Sequence, residues 1–494
     1  MRDIIFHLKH ATRGTLQAQL REQLLDAILN RQLMPGQPLP SSRRLARQLG
    51  VARNTVMLTY QSLVEQGFVV SRERSGFFVN EALKLDHASP PIGMGQGGTP
   101  SGPPVDWEGR YTRHPSAQVN ISKPVDWQNC PYPFIYGQID PQFFPLSAWR
   151  DCSRRALAKL AVNQWSTDQF QTDDPLLIEQ IRTRVLLRRG VRARDDEILI
   201  TMGAQNALWL VSSLLFSEAS TIGLEEPGYV DARNIFALRT GRLRPLPIDS
   251  AGLIVDDGLK GCDYVYVTPS HQSPSTVTMP FERRLALLER ASADDFILIE
   301  DDYEGEINFV GEPTPALKSL DSSGRVLYVG SFSKNLAPGL RLGFLVAPPA
   351  LIRELRYLRR LMFRHPPANN QRCAGLFLAD GHYDSLIHRL RRVYRERWEV
   401  MGAALERHMP DTVRAKSVGG SSFWVRGPEG LDGESLARLA LERGIVIEPG
   451  RIFFQVPNPP RNYFRLGFSS IPTDRIEPGI RLLAELVHAH SAAA

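Results

Sequence analysis

At 494 residues the chain exceeds one ordinary core, and about 100–200 residues per domain implies two to four units. Its 43% hydrophobic and 23% charged residues suit a soluble globular protein, and its most apolar stretches, such as Leu208 to Phe216, are short and broken by serine, which excludes a membrane span. The net charge of +6 sits wholly in residues 1–80, with 11 Lys/Arg against 5 Asp/Glu, so the rest carries 48 of each sign and only the head calls for a polyanion partner.

Met1 to His10 lacks the apolar core of a signal peptide, which predicts a cytoplasmic protein. "LQAQLREQLLDAILN" repeats Leu20, Leu24 and Ile28 every fourth position, the inner face of a first helix. "MPGQPLP" breaks it, and "SSRRLARQLG" supplies hydroxyl caps and a Gly50 stop for a second helix with Leu45 and Leu49 inward. "RNTVMLTYQSLVEQG" buries Val56, Tyr60 and Leu63 in a third and closes at Gly67, while "FVVS" and "GFFV" around "RERSG" read as a hairpin wing. In helix-turn-helix spacing the third helix enters the major groove by its N-terminus, where Arg53, Asn54 and Thr55 lie. Arginine pairs with guanine and asparagine with adenine, while Ser41, Ser42 and Arg43 suit phosphate. Over about 65 residues this segment resembles the winged helix-turn-helix of the GntR family, which implies DNA contacts from Arg43, Arg53, Asn54, Thr55 and the wing residue Gly76. The predicted DNA-binding domain spans 12–80.

"ASPPIGMGQGGTPSGPP", residues 88–104, has ten Gly or Pro in seventeen and cannot bury enough apolar surface to order itself, and polar sequence continues to Gln128. A flexible linker is expected over 81–128 and the large domain over 129–494. Cys130, Cys152, Cys262 and Cys373 share no C-x-x-C spacing, so buried free thiols are expected rather than disulfides or a metal site.

In the large domain short apolar runs ("EILIT", "STIGLEEP", "DYVYVTP", "FILIEDDY", "VLYVGSF", "LGFLVAP") alternate with helical patterns, which predicts an α/β fold with a mainly parallel sheet and ligands at strand carboxyl ends. Lys334 follows one such strand with Ser331 and Ser333 before it and Arg341 after it. Hydroxyls and a guanidinium clamp a phosphate ester, and a desolvated lysine beside a cation is nucleophilic, a pairing that suggests pyridoxal phosphate. Asp301 can keep a pyridinium protonated, Tyr303 can bond the ring's phenolic oxygen, Tyr229 can stack on the ring, and Gly203, Ala204 and Gln205 open a helix whose amides attract phosphate.

Residues 130 to 490 resemble the fold-type I aminotransferases through "GAQNAL", "EEPGY", "TPSHQSP", "IEDDYEGE", "FSKNLAPGLRLG", "EPGRIFF" and "FRLGFS" in that order, and with the head the whole chain resembles the MocR/GabR family of regulators. The resemblance implies that Lys334 is the Schiff-base lysine, that Asp301 partners the ring nitrogen, Tyr303 the phenolic oxygen and Tyr229 the ring face, that Ser331, Ser333 and Arg341 hold phosphate, and that Arg465 holds the carboxylate of an amino-acid-like effector. Three departures stand out. Ser273 occupies the place of the family's asparagine and Thr276 that of a glycine, Asp301 lies two residues before the tyrosine instead of three, leaving Asp302 or Glu300 as rivals, and either Asp231 or Arg233 faces the pocket. The implied function is a homodimeric, head-to-tail and domain-swapped transcription regulator that binds operator DNA and senses an amino compound by external aldimine formation at Lys334, not an enzyme. The alternatives are an active aminotransferase localised by its head, a sensor of pyridoxal phosphate itself, and a DNA-binding protein on a dead scaffold.

Overall fold

The structure, a computed structural model, describes residues 15–73, 75–83, 105–310, 314–414 and 418–491. It comprises two units, Met1–Thr112 and Arg113–Ala494. Residues 12–14 of the expected head, Arg74 of its wing turn and 84–104 of the expected linker lie outside the described residues.

In the first unit α1 (Leu16–Leu29) starts where the Thr15 side chain accepts from Ala18 N, and α2 (Ser42–Leu49) where that of Ser41 accepts from Arg44 N. Gly50, left-handed at φ 65°, ends α2 and lets the chain turn into α3 (Arg53–Glu65). Leu20, Leu24, Ile28, Leu45, Val56, Tyr60 and Leu63 form one core with Val69 and Val79 of the wing strands β1 (Val69–Arg72) and β2 (Gly76–Val79). Leu49 packs against this core only partly buried. The Tyr60 hydroxyl donates to Pro40 O at 2.8 Å, so the ring that fills the core also satisfies the turn before α2.

The second unit begins with residues that were expected to be linker. Gln118 Nε2 donates to Asn234 O (3.0 Å), Asn234 Nδ2 donates to Val119 O (2.8 Å), and Ile121 packs on Val230, Trp424 and Phe453. The side-chain amides of Gln118 and Asn234 and the apolar side chain of Ile121 make this stretch a strap along the body, a use that polar, Pro-rich composition does not announce.

After β3 (Tyr132–Pro133) come β4 (Ile198–Thr201), β5 (Ile222–Glu226), β6 (Leu243–Asp249), β7 (Gly252–Leu253), β8 (Tyr264–Val267), β9 (Ile297–Asp301), β10 (Val326–Ser331) and β11 (Gly343–Val346). Strands β4 to β11 make one sheet in the order β4-β11-β10-β9-β8-β5-β6-β7, parallel from β10 to β6, with β11 antiparallel to both β10 and β4. Alternate residues feed opposite faces: Ile198, Ile200, Tyr328, Phe344 and Val346 enter one core, Leu199, Leu327, Val329 and Leu345 the other. Continuous apolar strands are what such a two-sided sheet requires. A smaller sheet joins β12 (Val413–Arg414), β13 (Ser422–Arg426), β16 (Tyr463–Gly467) and β15 (Glu448–Pro449) in that order, while β14 (Ile445–Val446) pairs with β3. Cys152, Cys262 and Cys373 are buried free thiols, but Cys130 is only half-buried. No helix among the described residues is long and apolar enough to cross a membrane.

Candidate functional site

A cavity of about 370 Å3 opens at the carboxyl ends of the parallel strands. Its wall includes Tyr229, Asp301, Tyr303, Ser331, Ser333, Lys334, Arg341, Ala204, Gln205 and Arg465, residues drawn from five separate stretches of sequence. Strand geometry explains the gathering: β9 ends on Asp301, β10 ends on Ser331, and the helix Ala204–Leu215 starts beside them after Gly203. Gly203 has φ 81°, and a Cβ there would stand 3.3 Å from Arg341, so the bare backbone is what lets the guanidinium approach.

Lys334 reaches across the cavity, its Nζ 4.2 Å from the centre of the Tyr136 ring. Gly137 lies under it at φ 76°, and a Cβ there would collide with Nζ. Burial brings the amine down to about 8, with Lys123 and Arg465 pushing the same way and Glu304 opposing. Near neutrality a useful fraction of Lys334 is therefore uncharged and nucleophilic.

The three consecutive carboxylates have separate duties. Glu300 accepts from the backbone N–H groups of Leu317 and Lys318 at 2.7 and 2.8 Å, and Asp302 accepts from Arg189 Nε at 2.7 Å and from the Tyr328 hydroxyl at 2.8 Å. Only Asp301 lines the cavity. Tyr266 donates to its Oδ2 at 2.9 Å, whereas Oδ1 is buried without a partner. Burial, reinforced by Asp302, pushes this carboxyl up to about 7. An orphaned carboxylate oxygen beside an amine-bearing cavity fits a cationic N–H donor such as a pyridinium, and together with the Gly203 approach it means the residues present suit pyridoxal phosphate.

Other expected residues are in place with different partners. The Tyr303 hydroxyl donates to His271 O at 2.6 Å, so it must rotate before it donates to a ring oxygen. Tyr229 donates to Asp231 at 3.0 Å, and Gln205 donates through its side chain to the same carboxylate at 2.5 Å. Of the two rivals after Tyr229, Asp231 lines the cavity while Arg233 donates to the Ile452 and Phe454 carbonyls. Ser331 Oγ accepts from Ser333 N at 3.2 Å, Arg341 donates to Met202 O at 3.1 Å, and Ser273 lines the wall. Arg465 is buried, with Nε and one Nη on Glu448 Oε2 at 2.8 and 2.6 Å. Glu448 stands directly opposite it across β15 and β16, and this in-built carboxylate, along with Tyr136, Gly137 and Lys123, was missed in the sequence. "EPGRIFF" contained Glu448 but gave no hint of the cross-strand register.

On the head, Arg43, Arg53 and Asn54 are exposed, Thr55 is half-buried, and Gly76 opens β2 at φ 101°. Ser42 does not offer its hydroxyl outward as expected: it is buried and accepts from Arg53 Nε at 3.3 Å, pinning the start of α3 to α2.

The family described as bacterial regulatory proteins, gntR family, matches residues 16–79, and aminotransferase class I and II matches 156–483. The HTH-type transcriptional regulator TauR of Rhodobacter capsulatus is 42% identical over 97% of this chain and 98% of its own. This chain belongs to the MocR-type transcriptional regulators. A probable rhizopine catabolism regulatory protein, MocR of Rhizobium meliloti, is 32% identical over 95% of this MocR-type chain and 93% of its own. The kynurenine aminotransferase of Pyrococcus horikoshii, solved in complex with PMP, superimposes with a TM-score of 0.70 at 29% identity, over 78% of this chain and 98% of that one. The body of this MocR-type regulator thus has the fold-type I aminotransferase fold, a pyridoxal-phosphate-dependent class, and its head is a GntR-type DNA-binding domain.

Proposed function

We propose that this regulator binds operator DNA through its head and senses an amino compound in the body's cavity, with pyridoxal phosphate as cofactor. The observation that carries the reading is the lowered Lys334 amine beside the partnerless Asp301 Oδ1. Bound there, pyridoxal phosphate supplies an aldehyde carbon that primary amines attack reversibly. Ser331, Ser333, Arg341 and the backbone of Gly203 to Gln205 would hold its phosphate, Asp301 its ring nitrogen and Tyr229 its ring face. The Tyr136 ring lies against the reacting amine. A homodimer, head-to-tail and domain-swapped, would offer two heads to repeated half-sites, and an effector shifts operator affinity only by favouring one arrangement of the dimer.

The test is borohydride reduction of cofactor-saturated protein followed by peptide mass analysis, with an operator-binding assay run with and without amines. A pyridoxyl group on Lys334, absent in K334A, and amine-dependent DNA affinity are the expected results. No adduct at Lys334 overturns the reading. The fold of a working aminotransferase, with Lys334 and Asp301 in place, supports a second reading as an enzyme, which sustained turnover of amino donor and keto acceptor would establish instead.

A further inference from the structure

Away from the strand-end cavity, the fold gathers three metal-ligating side chains of different kinds. Cys152 lies on the helix Leu146–Ala156, Asp380 ends the helix Ala368–Ala379, and His382 opens the helix His382–His408. One ligand atom from each, a thiol sulfur, a carboxylate oxygen and an imidazole nitrogen, falls within 4.8 Å of both others. None of the three lines the cavity around Lys334. Gly381, left-handed at φ 76°, makes the tight turn that sets Asp380 beside His382, whose Nε2 is 3.9 Å from Asp380 Oδ2. Ligand atoms about 2.0–2.3 Å from a zinc ion stand roughly 3.3–3.6 Å apart around a tetrahedron. Modest rotations of the two side chains on the turn bring the cluster to that size.

Cys152 is fully buried in the body's main core, yet its Sγ faces this carboxylate and imidazole and makes no hydrogen bond among the described residues. Its companions are already oriented, because Arg155 donates to Asp380 Oδ2 and the His382 ring packs on Phe377 with 5.5 Å between centres. Ligands held in place by their own neighbours are what a built metal site requires. Arg154 and Arg155 face Asp151 and Asp380, so these cations are matched before a dication arrives. The side chains of Asp380 and His382 retain 28% and 37% exposure, so an ion can enter from that side and keep a water as its fourth ligand. Sulfur and nitrogen donors favour zinc over magnesium and calcium, which take oxygen. We propose that Cys152, Asp380 and His382 bind one zinc ion, which clips the helix Leu146–Ala156 to the turn before the helix His382–His408. No ligand spacing announces it in the sequence, because Cys152 meets the other two only through the packing of its helix on Ala368–Ala379.

The test strips the full-length protein with a chelator and titrates it with zinc chloride alone, in competition with a chromogenic chelator, and separately with cobalt(II). Zinc should bind at one ion per chain and resist displacement by magnesium or calcium. C152S and H382A should each weaken it about a hundredfold or more, since even partners outside the coordination sphere cost about 10–100-fold. H382C, which returns a soft ligand to the exposed side, should recover most of the affinity lost in H382A. Cobalt should give a thiolate charge-transfer band that C152S loses. Circular dichroism checks that each variant folds, and H382A, at a partly exposed position, decides the matter if the buried C152S does not. Absence of stoichiometric zinc, or zinc affinity unaltered in H382A, overturns the proposal.

Discussion

The partnerless Asp301 oxygen sets a pH dependence that can be worked out with its sign. An unfolded chain releases this proton near pH ~3.9, whereas the folded, cofactor-free protein holds it to about 7. Between those values the folded state binds more protons, so rising pH removes stability, and above 7 the loss is constant. D301N has no proton to lose. Its stability relative to the unsubstituted protein, both stripped of cofactor, should increase from pH 4 to 7 by a few kcal/mol, read by urea denaturation, and pyridoxal phosphate should stabilise only the unsubstituted protein strongly. Lys334 gives the companion result: its neutral form dominates above about 8, so the rate of cofactor capture by stripped protein should climb with pH and level off past that point in stopped-flow absorption. Both residues were legible in sequence because Asp301 closes one apolar strand and Lys334 stands in the turn after another. Glu448 and Lys123 were not, since one is placed by cross-strand register and the other by a strap that reads as linker.

Helices and strands set these residues with little slack. Gly137 combines φ 76° with a Cβ position already taken by Lys334 Nζ. G137A should therefore cost about 1–2 kcal/mol from the left-handed backbone, seen as a lower melting temperature, and should lose the Lys334 adduct as well. On the head the Ser41 cap of α2 is a purely local device, and S41A should lower thermal stability by about 1 kcal/mol without altering the cavity's spectrum. Element type was readable almost throughout, because period 3.6 in α1 to α3 and unbroken apolar runs in β8 to β10 leave no competing assignment. The duty of Ser42 was not readable: exposure of a hydroxyl at a helix start depends on whether a neighbour, here Arg53, folds back onto it.

Taken whole, the molecule keeps its excess positive charge in the head and a balanced body. R43A, at the start of α2 and exposed, should weaken operator binding uniformly across sequences and reduce the salt slope by about 1, whereas R53A should relax base preference, both measured by anisotropy over a salt series. The division into a DNA-reading and a chemical part was signalled by the basic head and its helix-turn-helix pattern, whereas composition did not announce the hydrogen bonds that tie Gln118 and Val119 to the body. The two-faced filling of the main sheet has an evolutionary corollary. A single extra residue within Val326–Ser331 would exchange the cores fed by Tyr328 and Val329 and swing Lys334 out of register with Asp301. Descendants of this chain can drift in side-chain identity there, but insertions and deletions in that strand should be purged.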